Sequence, residues 1–200
     1  MKVLICGDSF AADWSIKYPE RLGWCNWLSD YHSVTNVAQA GAGEYKILKQ
    51  IQSTDLNKFD AVIVSHASPN RLYCTVHPVH NNDVLHHNAD LIYADIKDHA
   101  ATNADADIAA KFYERYFDFD YQRDIANLCC WEILSILSNY THLNQFHIEN
   151  YATKHKYNML PDSFNINDLL KKHHGNTGHL DKTGNTKLYK VITKWLDELE

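Results

Sequence analysis

Val3-Leu4-Ile5-Cys6-Gly7-Asp8-Ser9, at the start of the chain, decides how the rest is read. Its first four residues are apolar without alternation, and the run stops at a Gly-Asp-Ser turn. A short run that is apolar on both sides suits a strand buried inside a parallel sheet. Two later segments repeat the pattern. Val34 to Ala38 reads as a second strand, followed by Gly41 and Gly43. Asp60-Ala61-Val62-Ile63-Val64-Ser65 is the clearest strand, and it ends in a turn-like stretch through Pro69 to Arg71. Between them, Pro19-Glu20-Arg21-Leu22 opens a helix carrying Trp24, Trp27 and Leu28, and Glu44 to Ile51 has helical spacing. Strand, loop and helix thus alternate three times, which predicts an α/β fold: parallel strands with helices on both faces. In open sheets of this kind, sites form beyond the carboxyl ends of the strands. The segments starting at Gly7, Ala38 and Ser65 should therefore converge on one rim.

The stretch from Leu72 to Asp107 breaks the pattern. It is rich in His, Asn and Asp, has little periodicity, and reads as a long insertion or lid after the third strand. Ala109 to Phe117 and Tyr121 to Tyr140 read as helices. His142 to Ile148 is a weak fourth strand. A last helix is expected from about Thr183 to Leu199, with Leu188, Val191, Ile192, Trp195 and Leu196 facing inward.

Two hundred residues suit a single domain, here residues 1–200, able to bury roughly two-thirds of its unfolded surface. Apolar residues make up 45% and charged residues 22%, which excludes a disordered, collagen-like or coiled-coil chain. No apolar run reaches the ~18 residues of a membrane span. A net charge of −6 recommends no nucleic-acid partner. Five irregularly spaced cysteines argue against a disulfide framework, and a reduced, cytoplasmic protein is the expectation.

Ser9 follows the first strand directly, where a hydroxyl is exposed at the sheet rim and backbone N–H groups can face a developing negative charge. A serine hydroxyl needs a base to take its proton. His179, in Asn176-Thr177-Gly178-His179-Leu180-Asp181 before the terminal helix, can reach the same rim and act as base and then acid. The plainer alternatives are that Asp8 and Ser9 cap a turn and that His179 is a surface histidine. In the third rim loop, Arg71 has the fork to hold a substrate carboxylate or phosphate, unless it pairs with a local acid. His66 there is a second base or a packed ring. Trp14, close after Ser9, lines an acyl or sugar pocket or packs a helix.

Gly7-Asp8-Ser9-Phe10, Asn36 with Gly41 five residues on, and His179-Leu180 with Gly184 in the late block together resemble the SGNH/GDSL hydrolase family. The resemblance covers residues 1–71 and about 176–200. It implies a flavodoxin-like three-layer α/β/α sandwich and hydrolysis of a small ester, acetyl or short-acyl and possibly on a carbohydrate, with no cofactor. By the same resemblance Ser9 is the nucleophile, His179 the base, and the Ser9 and Gly41 N–H groups donate to the oxyanion. Asp8, His66 and Arg71 would then stand on the substrate side.

The sequence departs from that family in two places. The third block, Gly-x-Asn-Asp in the family, is replaced by Ser65-His66-Ala67-Ser68-Pro69-Asn70-Arg71, so Ser68 or Asn70 must supply the missing oxyanion donor. Asn176 stands where the family places the acid that orients the histidine, so Asn176, a backbone group or Asp181 must take that role. An alternative function follows: a binding or assembly module that keeps the fold with weak or no catalysis. A third reading is a metal protein, since Cys74-x-x-His77-x-x-His80 followed by His86-His87 offers ligands that zinc accepts. That spacing matches no zinc module, and free Cys and His in a lid explain it, so no metal is assigned.

Overall fold

β1 (Lys2–Gly7) forms the centre of the sheet because almost every residue in it is buried on one side or the other. The computed structural model describes residues 1–148, 169, 171–173 and 179–200. β1 pairs in parallel with β2 (Ser33–Asn36) on one side and β3 (Ala61–Ser65) on the other. β3 pairs in parallel with β6 (Asn144–Ile148), giving the order β2-β1-β3-β6. The weak fourth strand of the sequence is thus real, and all four strands run the same way.

Side-chain alternation sends each strand's residues to opposite faces. Val3, Ile5, Ala61, Ile63, Phe146 and Ile148 pack against α1 (Trp24–Leu28) and the terminal helix α6 (Lys182–Asp197). Leu4, Cys6, Val62 and Val64 pack against α2 (Glu44–Gln52) and α5 (Phe119–Ser138). The fold is therefore α/β with helices on both faces of a parallel sheet. The helix expected from Pro19 starts only at Trp24, because the N-cap is Gly23 and the chain before it is a turn.

The stretch between β3 and α5 is more ordered than its sequence implies. β4 (Arg71–Leu72) and β5 (Leu91–Ile92) pair antiparallel, and α3 (Tyr93–His99) and α4 (Ala104–Tyr116) follow. Leu91, Ile96, Ala106 and Tyr113 make a small core of their own. Polar anchors tie it to α2. The buried Lys46 ammonium lies 2.8 Å from Asp90 Oδ1 and donates to the carbonyls of Cys74, Asn88 and Ala89. Polar residues that bury charges inside a loop region leave no periodicity to read.

Candidate active site

Gly7 sets the site, because β1 and β3 approach too closely there for any side chain. Its φ is +153°, and a Cβ at that position would stand 2.6 Å from Ser65 Cβ. Gln50 fixes the same residue from α2, accepting the Gly7 N–H at 2.7 Å and donating to its carbonyl at 3.1 Å. The turn that follows folds back on Asp8, whose carbonyl accepts from Ala11 and Ala12 N–H. Ser9 is thereby held at the carboxyl end of β1, 8% exposed, with its carbonyl accepting the Trp14 indole N–H at 2.8 Å.

His179 comes from the chain just before α6. Its ring lies 5.0 Å from Trp14, edge to face at 69°, and 5.3 Å from Phe10. Leu180 beside it is buried in the core with Trp24 and Leu188, which anchors the segment. Ser9, Trp14 and His179 line one cavity of about 420 Å³, together with Phe10, Trp27 and Leu180. That volume falls in the range of small-ligand sites. Cys25 also borders the cavity, but burial pushes its thiol up to about 12, so it stays protonated and is no rival nucleophile. Sequence distance conceals this juxtaposition: Ser9 and His179 lie at opposite ends of the chain and both line the one cavity.

The other expected site residues are placed differently. Asp8 and Arg71 do not face a substrate; they face each other. Arg71 Nη2 lies 2.8 Å from Asp8 Oδ2, with the two side chains 9% and 0% exposed, and Nη1 donates to the Ala42 carbonyl. Asp8 Oδ1 accepts from Phe10 N–H and the Ser65 hydroxyl. Burial raises the Asp8 pKa above its ordinary value, against the pull of the Arg71 guanidinium beside it. The local-acid reading of Arg71 is the correct one.

His66 is likewise occupied. Its Nδ1 lies 2.7 Å from Glu44 Oε1 and its Nε2 lies 2.8 Å from His147 Nδ1, the two rings stacked at 5.1 Å. Glu44, in the first turn of α2, also accepts the Ala67 N–H at 2.9 Å. His66 is buried in this Glu-His-His chain and is not a second base in the cavity. Nothing in the sequence flags Glu44, whose position on a helix reads as an ordinary exposed acid.

Ser68 and Asn70 do not line the cavity. The Ser68 hydroxyl accepts the Asn70 N–H at 3.4 Å, and Asn70 is exposed. Neither stands in for the missing oxyanion donor, because the loop turns outward into β4 after Ala67. Gly41 keeps the conformation that only glycine adopts freely, φ +82°, and sits against Ala89; like Ser68 and Asn70, it is not among the residues that line the cavity. Asp181 is engaged elsewhere: it caps α6 through Gly184 N–H at 2.7 Å and lies 3.7 Å from His173 Nδ1. Asn176 lies outside the described residues.

Three groups of side chains have donor atoms close enough together for a metal ion among the described residues: Glu44, His66 and Cys130; His77, His80 and Asp95; and His80, Asp83 and His86. Cys74, the first residue of the sequence motif, is in none of them; its thiol donates to the Ala89 carbonyl at 3.3 Å. No helix among the described residues is long and apolar enough to cross a membrane. No family model matches the chain, and no curated protein matches it.

Proposed function

We propose that the chain is a serine ester hydrolase of the SGNH/GDSL type, acting on a small acyl ester. The observation that carries this reading is the shared cavity: Ser9, at the end of the first strand, and His179, before the last helix, both line it, with Trp14 packed on the His179 ring. The parallel order β2-β1-β3-β6 supports a flavodoxin-like three-layer sandwich, and residues between β3 and α5 form its inserted lid.

In this mechanism Ser9 Oγ attacks the acyl carbonyl carbon while His179 takes the hydroxyl proton. The oxygen that becomes negative is held by the Ser9 N–H at the cavity, and the Gly41 N–H is the second donor the family resemblance assigns, from a loop outside the cavity lining. The C–O bond to the alcohol breaks as His179 returns the proton to the leaving oxygen. Water then attacks acyl-Ser9 with His179 again as base, releasing the acid and the free serine. Trp14 and Phe10 hold the imidazole ring by packing on it, and the cavity beyond them takes the acyl or alcohol group.

A fluorophosphonate tests the nucleophile. One covalent adduct on Ser9, lost in Ser9→Ala, is expected. Folded protein whose intact mass stays unchanged overturns the reading. His179→Ala should abolish turnover of p-nitrophenyl acetate.

A second reading, a ligand-binding module with the same fold, is favoured by one feature: of the expected oxyanion donors only Ser9 lines the cavity, and Gly41, Ser68 and Asn70 do not. Loss of one such donor costs ~10²–10³ in rate. Turnover of a panel of acyl esters and acetylated sugars, with Ser9→Ala as control, separates the two.

A further inference from the structure

The segment between β4 and β5, with Asp95 from α3, brings three histidine rings and two carboxylates together outside the cavity. His77 and His80 stand 4.7 Å apart, and His80 and His86 4.8 Å apart, ring centre to ring centre. Asp95 Oδ2 lies 2.9 Å from His80 Nε2 and 3.5 Å from His77 Nε2. Asp83 Oδ1 lies 3.3 Å from His86 Nδ1. That His86 nitrogen is buried, and its polar neighbour among the described residues is this Asp83 oxygen. A buried ring nitrogen is costly unless a hydrogen bond or an ion satisfies it.

Proton placement separates ligands from supports. His77 Nδ1 accepts from the N–H groups of Val79 and His80, so its proton sits on Nε2, facing Asp95. A protonated Nε2 has no lone pair for a metal, and His77 is therefore a support. His80 gives its Nε2 proton to Asp95, which leaves Nδ1 basic. This is the arrangement in which a carboxylate orients a ligating histidine.

We propose that His80, Asp83 and His86 bind a divalent transition-metal ion of the zinc class, with Asp95 and His77 holding His80 in place. A ring nitrogen of His80, a carboxylate oxygen of Asp83 and a ring nitrogen of His86 all lie within 4.8 Å of one another. Donors around tetrahedral zinc, at bond lengths of ~2.0–2.1 Å, stand about 3.3 Å apart, the separation found between Asp83 Oδ1 and His86 Nδ1. Two imidazoles and a carboxylate are a set that zinc accepts, and three protein ligands leave it a fourth position. The three ligand side chains are half-buried, although the His86 Nδ1 atom itself is buried. Lys17 pairs with the other Asp83 oxygen, Oδ2, and Lys46 also acts electrostatically on His77. The remaining oxygen, Oδ1, accepts the Leu85 N–H at 2.8 Å, which orients the carboxylate. Trp14 joins this cluster to the cavity, its ring 5.7 Å from His86 and 5.0 Å from His179. The site does not depend on the esterase reading.

Zinc binding to the full chain, stripped with a chelator and titrated by calorimetry, tests it, with cobalt absorption reporting the ligand geometry. About one equivalent is expected. His86→Ala and Asp83→Asn should weaken binding by ~100-fold or more, and Asp95→Asn by the ~10–100-fold typical of a supporting carboxylate. His142→Ala and Cys74→Ser should leave it unchanged. Should the ligand variants fail to fold, diethyl pyrocarbonate labelling of the wild-type chain decides: zinc must protect His80 and His86 and leave His142 reactive. Absence of saturable binding, binding that survives His86→Ala, or binding lost in Cys74→Ser overturns the site.

Discussion

Arg71 and Asp8 form a buried ion pair, 2.8 Å from Nη2 to Oδ2, directly beneath the turn that carries Ser9. The pair joins the first and third rim loops, and its partners at Ala42, Phe10 and Ser65 complete the link. Removing one member leaves the other charge buried without its partner. Arg71→Met should therefore cost about 3–5 kcal/mol in urea unfolding. The loss should shrink as pH falls, because Asp8 then takes up a proton. Asp8→Asn combined with Arg71→Met should recover most of it. An unchanged unfolding midpoint, with a raised KM instead, would restore Arg71 to the substrate side.

Glu44 makes the opposite contribution to pH dependence. Burial pushes its pKa up, but the imidazole of His66 and the N–H of Ala67 outweigh that and hold it below the ordinary carboxylate value. A carboxylate depressed in the folded state stabilises fully above its unfolded pKa of about 4.3 and loses that stability as pH falls through the folded value. Urea midpoints measured from neutral pH downward should drop steeply in the wild type. Glu44→Gln should be less stable at neutral pH and flatter below pH ~4.3. Parallel curves for the two proteins would remove Glu44 from the account.

Trp14 bears on both proposals. Its indole donates to the Ser9 carbonyl at 2.8 Å while its ring packs on His179. Trp14→Ala removes both restraints, and a displacement of about 1 Å between reacting groups costs ~10² in rate. Turnover of p-nitrophenyl acetate should fall by that order, and fluorophosphonate labelling of Ser9 should slow with it. Full labelling speed in Trp14→Ala would show that the indole positions neither group.

Much of the fold was legible because burial on both sides leaves an unmistakable mark. Val3 to Cys6 and Ala61 to Ser65 are apolar without interruption, and the structure makes them adjacent central strands. The amphipathic face of α6 was legible for the same reason. Position near one site was legible too, in that Ser9 and His179 both line the cavity. What could not be read was which polar residues satisfy one another. Asp8 with Arg71, Glu44 with His66 and His147, and Lys46 with Asp90 are long-range pairs of groups that each look solvent-exposed in sequence. The surroundings of the Cys-His motif were hidden for a related reason. Local spacing selected Cys74, whereas the fold brings in Asp95 from α3 and turns the Cys74 thiol to a carbonyl.

Gly41 offers a test of how the second rim loop is held. Its φ of +82° is a conformation that disfavours a side chain, and its carbonyl accepts the Asp90 N–H at 2.9 Å. A Cβ there would stand 2.5 Å from Ala89 Cβ and 3.1 Å from Ala89 Cα. Gly41→Ala therefore carries two penalties, backbone strain of order 1–3 kcal/mol and a collision with the segment before β5. Thermal unfolding should show the combined loss. Ala89→Gly in the same chain should relieve the collision and leave the backbone strain, so the double variant should fall between Gly41→Ala and Ala89→Gly. If the loop also presents the Gly41 N–H to an oxyanion, the double variant should recover stability without recovering the full rate of ester hydrolysis. Recovery of both together would mean that the glycine serves the packing alone.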